Sequence, residues 1–101
     1  MIVYNITLKI EPAIEAQWLP WQKEEHIPDV MATGQFLDHK FFRLLDQHEE
    51  DGVTYVVQYF AATIDHYNTY VREFSQQLRQ KAFDKWGNHF IAFRTIMQSV
   101  D

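Results

Sequence analysis

A chain of 101 residues, 47% hydrophobic and 16% aromatic and without cysteine, is not a disordered polymer, and it holds neither a disulfide framework nor a thiolate metal or redox site. Its net charge of −5 gives no electrostatic footprint for nucleic acid or for an anionic membrane surface. One domain over residues 1–101 is expected, small enough that roughly a third of the unfolded-state surface stays wet, so a partner subunit helps.

Ile2, Tyr4, Ile6, Leu8 and Ile10 alternate with Val3, Asn5, Thr7 and Lys9, the period-two pattern of a first strand with one apolar face. No basic start or apolar core of a signal peptide precedes it, and no apolar run approaches the ~20 residues of a membrane span, so a cytoplasmic protein away from membranes is expected. Glu11-Pro12 opens a helix with proline at the first position, and Ile14, Trp18, Trp21 and Glu25 fall on one stripe at helical spacing.

The stretch from Trp18 to Phe36 concentrates two of the three tryptophans and two of the three prolines. Pro20 inside the helix removes a hydrogen bond and predicts a kink. Pro28 biases Ile27 away from the α region, so the first helix is expected to end near His26, with a short helical piece from Pro28-Asp29 to Thr33-Gly34. His26 then stands at a helix break, where its ring is free to point into a cavity.

Phe36 to Asp46 reads as a second strand, mixed on both sides. Gln47 to Gly52 reads as an acidic turn in which His48-Glu49-Glu50-Asp51 is a solvated hairpin tip, not a metal site, and Val53 to Ala61 is the third strand. Thr63 caps a helix that carries Tyr67, Tyr70, Val71, Phe74, Leu78 and Ala82 and stops at Lys85-Trp86-Gly87. His89 to Val100 forms the fourth strand. The order β-α-β-β-α-β, with the handedness of parallel crossovers, predicts an α+β, ferredoxin-like fold: a four-stranded antiparallel sheet with two helices on one face. The open face, assigned Val3, Leu37, Phe41, Val56 and Phe60, is too apolar for water, and a homodimer closing two such faces is expected.

Trp18, Trp21, His26-Ile27-Pro28-Asp29-Val30, Ala32-Thr33-Gly34, Phe36, Gly52-Val53-Thr54-Tyr55, Val57-Gln58-Tyr59, Phe90 and Ala92-Phe93-Arg94-Thr95 together resemble a family of short bacterial proteins known only as a domain of unknown function. Pro20 departs from the helix-compatible residue usual there. The resemblance spans essentially the whole chain and implies the dimeric α+β barrel superfamily, with a pocket between sheet and helices in each subunit. That superfamily includes cofactor-free monooxygenases, haem-degrading enzymes, lactone isomerases and proteins without activity. The haem-degrading relatives combine Asn, Trp and His. Asn5 has its counterpart there, but the second helix carries Tyr67, Tyr70 and Phe74 in place of a Trp, so neither haem nor another cofactor is expected.

Candidate chemistry rests on few residues. A sheet face bearing Asn5, Thr7, His39, Arg43, Gln58 and Arg94 brings donors and amides together, and with His26 as candidate catalytic base and Trp21 nearby it suits a small, partly aromatic or anionic ligand such as a carboxylate or enolate. Asn5, Trp21, His39, Gln58 and Arg94 are the ligand-binding candidates, and no metal site is expected. Two functions remain open: a small-molecule binder or cofactor-independent enzyme, and a non-catalytic dimeric scaffold whose polar groups only fix the register.

Overall fold

The computed structural model describes residues 1–45 and 52–101, so the acidic turn with His48, Glu49, Glu50 and Asp51 lies outside the described residues. Four strands, β1 (Ile2–Ile10), β2 (Asp38–Arg43), β3 (Val53–Ala61) and β4 (Phe90–Gln98), form one antiparallel sheet in the order β2-β3-β1-β4. That is the ferredoxin-like arrangement, with β1 and β3 central. Strict alternation makes it so: Ile2, Tyr4, Ile6, Leu8 and Ile10 of β1 and Val53, Tyr55, Val57, Tyr59 and Ala61 of β3 are all buried, while the residues between them are half-buried.

Two helical arms cover the buried face. The first is α1 (Pro12–Trp21), a π-helical turn (Gln22–His26) and α2 (Ile27–Met31). The second is α3 (Ile64–Tyr70), another π-helical turn (Val71–Ser75) and α4 (Gln76–Trp86). The Thr63 hydroxyl accepts from the His66 N–H at the start of the second arm. Gly87 ends it at φ +59°, donating its N–H to Phe83 O at 2.7 Å.

The expected break at His26 is corrected. Ile27 is helical, at φ −59° and ψ −47°, and its N–H reaches Gln22 O five residues back. Pro28 has no N–H to offer, and the wider turn absorbs one extra residue instead of ending the helix. The consequence is a change of face. An uninterrupted α-helix following Trp18 and Trp21 presents Glu25 and Pro28 to the sheet, whereas here Glu25 and Pro28 are exposed and Ile27 and Val30 are buried.

The core is aromatic. Tyr4 packs among Phe36, Tyr59, Tyr67 and Tyr70 with ring centroids 5.4 to 6.2 Å apart, and Trp18 sits over Tyr55 and Phe41. The Tyr55 hydroxyl donates to Glu15 Oε2 at 2.6 Å, tying α1 to β3. Phe41 is thus under the helices, since it pairs with Val57, and Leu37 precedes β2, so neither belongs to the open face. Val3, Val56 and Phe60 do lie on that face as expected, and Phe42, Ile91, Phe93 and Met97 make up the rest of its apolar surface. Phe93 and Ile91 are 63% and 55% exposed, part of an apolar surface unusual for an isolated subunit.

Candidate functional site

Strand register decides which polar residues meet. Asn5 pairs with Gln58, and the Gln58 amide donates to Asn5 Oδ1 at 3.2 Å on the open face. Arg94 pairs with Ile6, and His39 and Arg43 pair with Tyr59 and Tyr55, all of which point toward the helices. The single expected cluster therefore divides. Asn5, Thr7 and Gln58 stand on the open side, Arg94 stands beneath the helical layer at the β4 edge, and exposed His39 lies at the opposite edge, its ring 6.5 Å from that of Tyr59. The correction follows from one fact: antiparallel partners share a face, so Arg94 cannot stand beside Gln58 while Ile6 is buried.

Beneath the helices, Arg94 does meet His26 and Trp21. All three line a cavity of about 50 Å³ walled by Ile6, Leu8, Trp18, Val57, Ala82 and Phe90, with Gln22 and Arg79 completing it. The π turn places His26 there, and its ring stacks on Trp21 at 5.0 Å with planes 24° apart, while Trp21 meets Trp86 edge-on at 5.7 Å. His26 Nδ1 is buried and has no hydrogen-bond partner among the described residues. Burial is the main cause that holds the imidazole neutral, with a pKa of about 4 in place of 6.5. Asp29 and Glu25 oppose the shift, and Lys81 and Arg94 reinforce it.

Two cavity residues are absent from the expectations drawn on sequence. Gln22 is buried at 3% exposure, at the start of the first π turn. Arg79 follows Ser75 on the sheet-facing stripe Ser75, Arg79, Ala82 and Trp86, and its Nη2 donates to the Tyr4 hydroxyl at 3.3 Å. Spacings of four, three and four would have revealed that stripe had the helical frame been restarted at Ser75 instead of continued from Tyr67. Lys81, on the outer side, joins the arms by bonding Asp29 at 2.9 Å and Glu25 at 3.2 Å.

Among the described residues no helix is long and apolar enough to cross a membrane. Residues 1–100 match the model of a family described as a domain of unknown function (DUF4286). No curated protein matches the chain. Among solved structures the chain is similar to a dimeric ferredoxin-like protein from an uncultured marine organism, with a TM-score of 0.76 at 7% identity over 99% of this chain and 95% of that one. It is also similar to an ethyl tert-butyl ether d (EthD) family protein from Bacillus halodurans, with a TM-score of 0.70 at 15% identity over 99% and 100%. A monooxygenase of Streptomyces coelicolor in complex with nanaomycin D gives 0.58 at 11% identity over 99% and 89%. At such identities the likeness is one of fold.

Proposed function

Since the chain belongs to this family of unknown function, we propose its role from the cavity: it binds a small organic ligand between the sheet and the first helical arm, as a cytoplasmic homodimer joined through the open sheet face. The observation that carries the reading is His26 Nδ1, a buried polar atom without a partner among the described residues, in a cavity it shares with Trp21 and Arg94. An unsatisfied buried acceptor or donor costs about 1–3 kcal/mol, and a ligand that completes it recovers that cost. In the catalytic form of this reading, cofactor-independent, the neutral His26 ring serves in proton transfer. The dimer is supported by the apolar open face and by the similar fold of a protein described as dimeric. The nanaomycin D complex supports the idea that such a fold accommodates an organic ligand.

A second reading has its own observation. Asn5 and Gln58 satisfy each other on the open face, which favours a register-fixing role at the dimer interface over ligand contact for that pair. Native mass spectrometry of gently purified protein tests both. A dimer carrying a discrete extra mass that disappears in Arg94→Ala and His26→Ala supports the binder. A dimer that retains no tested small molecule, with those variants indistinguishable from wild type, supports the scaffold, and a monomer overturns the interface.

A further inference from the structure

We infer that the cavity is an anion site, built to take the head group of a compact organic carboxylate between Arg79 and Arg94; this rests on the ligand-binding reading above. Two independent elements deliver the guanidinium groups. Arg94 comes from the β4 edge through its pairing with Ile6, and Arg79 comes from α4 through the frame that the second π turn resets at Ser75. Each helical arm thus contains one π turn, and the two together turn His26 and Arg79 toward the same space.

The polar lining is donor-rich. Guanidinium groups have no acceptor, and His26 in its Nδ1–H tautomer adds a further donor. Among the described residues no Asp or Glu lines the cavity, the one side-chain hydrogen bond of Arg79 goes to a neutral tyrosine hydroxyl, and the Arg94 side chain makes none. Arg79 and Arg94 are both exposed, so water solvates them at the mouth of the cavity and an anion is not obligatory, but two cations flanking one opening with no carboxylate in its lining favour an anion over a cation or a neutral group there.

Size narrows the class. A water needs about 10–15 Å³ of such space, so 50 Å³ admits roughly four water-sized groups. That is a carboxylate with a short carbon stem, whose apolar part meets Trp18, Trp21 and Phe90. An aromatic ring system does not fit inside and would have to extend through the mouth.

The test follows the His26 and Trp21 ring resonances of the full-length protein at pH 7 by NMR while acetate, its neutral isostere acetamide, or chloride at matched ionic strength is added. Acetate is expected to give saturable shifts in about the millimolar range, because few atoms are bound. Acetamide, and acetate with Arg94→Gln or Arg79→Gln, should bind about tenfold more weakly. Equal binding of acetate and acetamide overturns the anion assignment while leaving a ligand cavity, and that comparison needs no variant to fold. The same saturable shift from chloride overturns the carboxylate class. If no probe moves either ring, the cavity reading itself is overturned along with the inference.

Discussion

Arg94 stands opposite Ile6 in the ladder between β1 and β4, and this pairing puts a guanidinium under the helices while Asn5, one residue earlier in β1, faces the other way. One residue of register separates two chemistries: a donor-rich cavity under the helices and an amide pair on the open face proposed to meet a second copy.

The amide pair should behave as an interface element. Asn5→Val alone leaves the Gln58 amide unpaired in the closed dimer, and an orphaned buried group costs about 1–3 kcal/mol. The expected result is a dimer dissociating at about tenfold higher concentration in sedimentation experiments, with acetate binding at His26 unchanged. Asn5→Val with Gln58→Val replaces both partners by apolar groups and should restore association to near the wild-type level. A single variant as tight as wild type would place the pair outside the interface.

The buried imidazole makes stability depend on acidity. His26 has a folded pKa of about 4 against 6.5 when unfolded, so the unfolded chain binds the extra proton first. Its contribution is complete above pH 6.5, shrinks as pH falls toward 4 and is gone below. The full difference amounts to about 3 kcal/mol. Asp29, Glu25, Lys81 and Arg94 face the same ring. The informative quantity is therefore the difference between wild type and His26→Gln in urea unfolding at pH 7 and pH 4.5. Wild type should lose more stability, and parallel losses would mean that the ring is charged or exposed in the fold.

Much of this architecture was legible in the sequence, because alternation reports burial directly. β1 and β3 have the limits their patterns imply, from Ile2 to Ile10 and from Val53 to Ala61. The second arm also carries both expected caps, Thr63 at its start and Gly87 at its end. What alternation does not report is pairing register between strands far apart in the chain, and for that reason Arg94, His39 and Arg43 were expected on the face opposite the one they occupy. Nor does helical spacing announce a π turn. Pro28 signalled trouble at Ile27, but a proline ends or widens a helix at the same sequence position, and packing of Ile27 and Val30 on the sheet selects the second outcome.

Gly52 should tolerate no side chain. Its φ is +143°, and a Cβ built there runs into the backbone carbonyl of Ile10, where β1 ends against the start of β3. Since a carbonyl fixed in the sheet cannot rotate aside, Gly52→Ala should cost about 1–3 kcal/mol. Gly34→Ala, also at positive φ but with open space around the new carbon, should cost less. Thermal melts of the two variants provide the comparison, and a Gly52→Ala protein as stable as wild type would show that the two strand ends separate at little cost.

Pro20 is the residue whose removal should help. It lies in the interior of α1, exposed, beyond the positions where a missing N–H is harmless, so Ala16 O lacks its helical donor and the ring crowds that carbonyl. Against this, proline restricts the unfolded chain and returns about 0.4–1 kcal/mol. With an intrinsic helical cost of ~3 kcal/mol, the balance for Pro20→Ala is a gain of about 2 kcal/mol, or a rise in Tm of about 10 °C for a domain of this length. The stacking of His26 on Trp21 should survive, because the π turn lies after Pro20 and is closed by the Ile27 N–H to Gln22 O. Cross-peaks between the two rings, measured in the stabilised variant, separate the possibilities. Their persistence together with a higher Tm assigns Pro20 a cost without a role in the cavity, whereas their loss would mean that Pro20 holds the turn that aims His26, and that the chain trades stability for the placement of that ring.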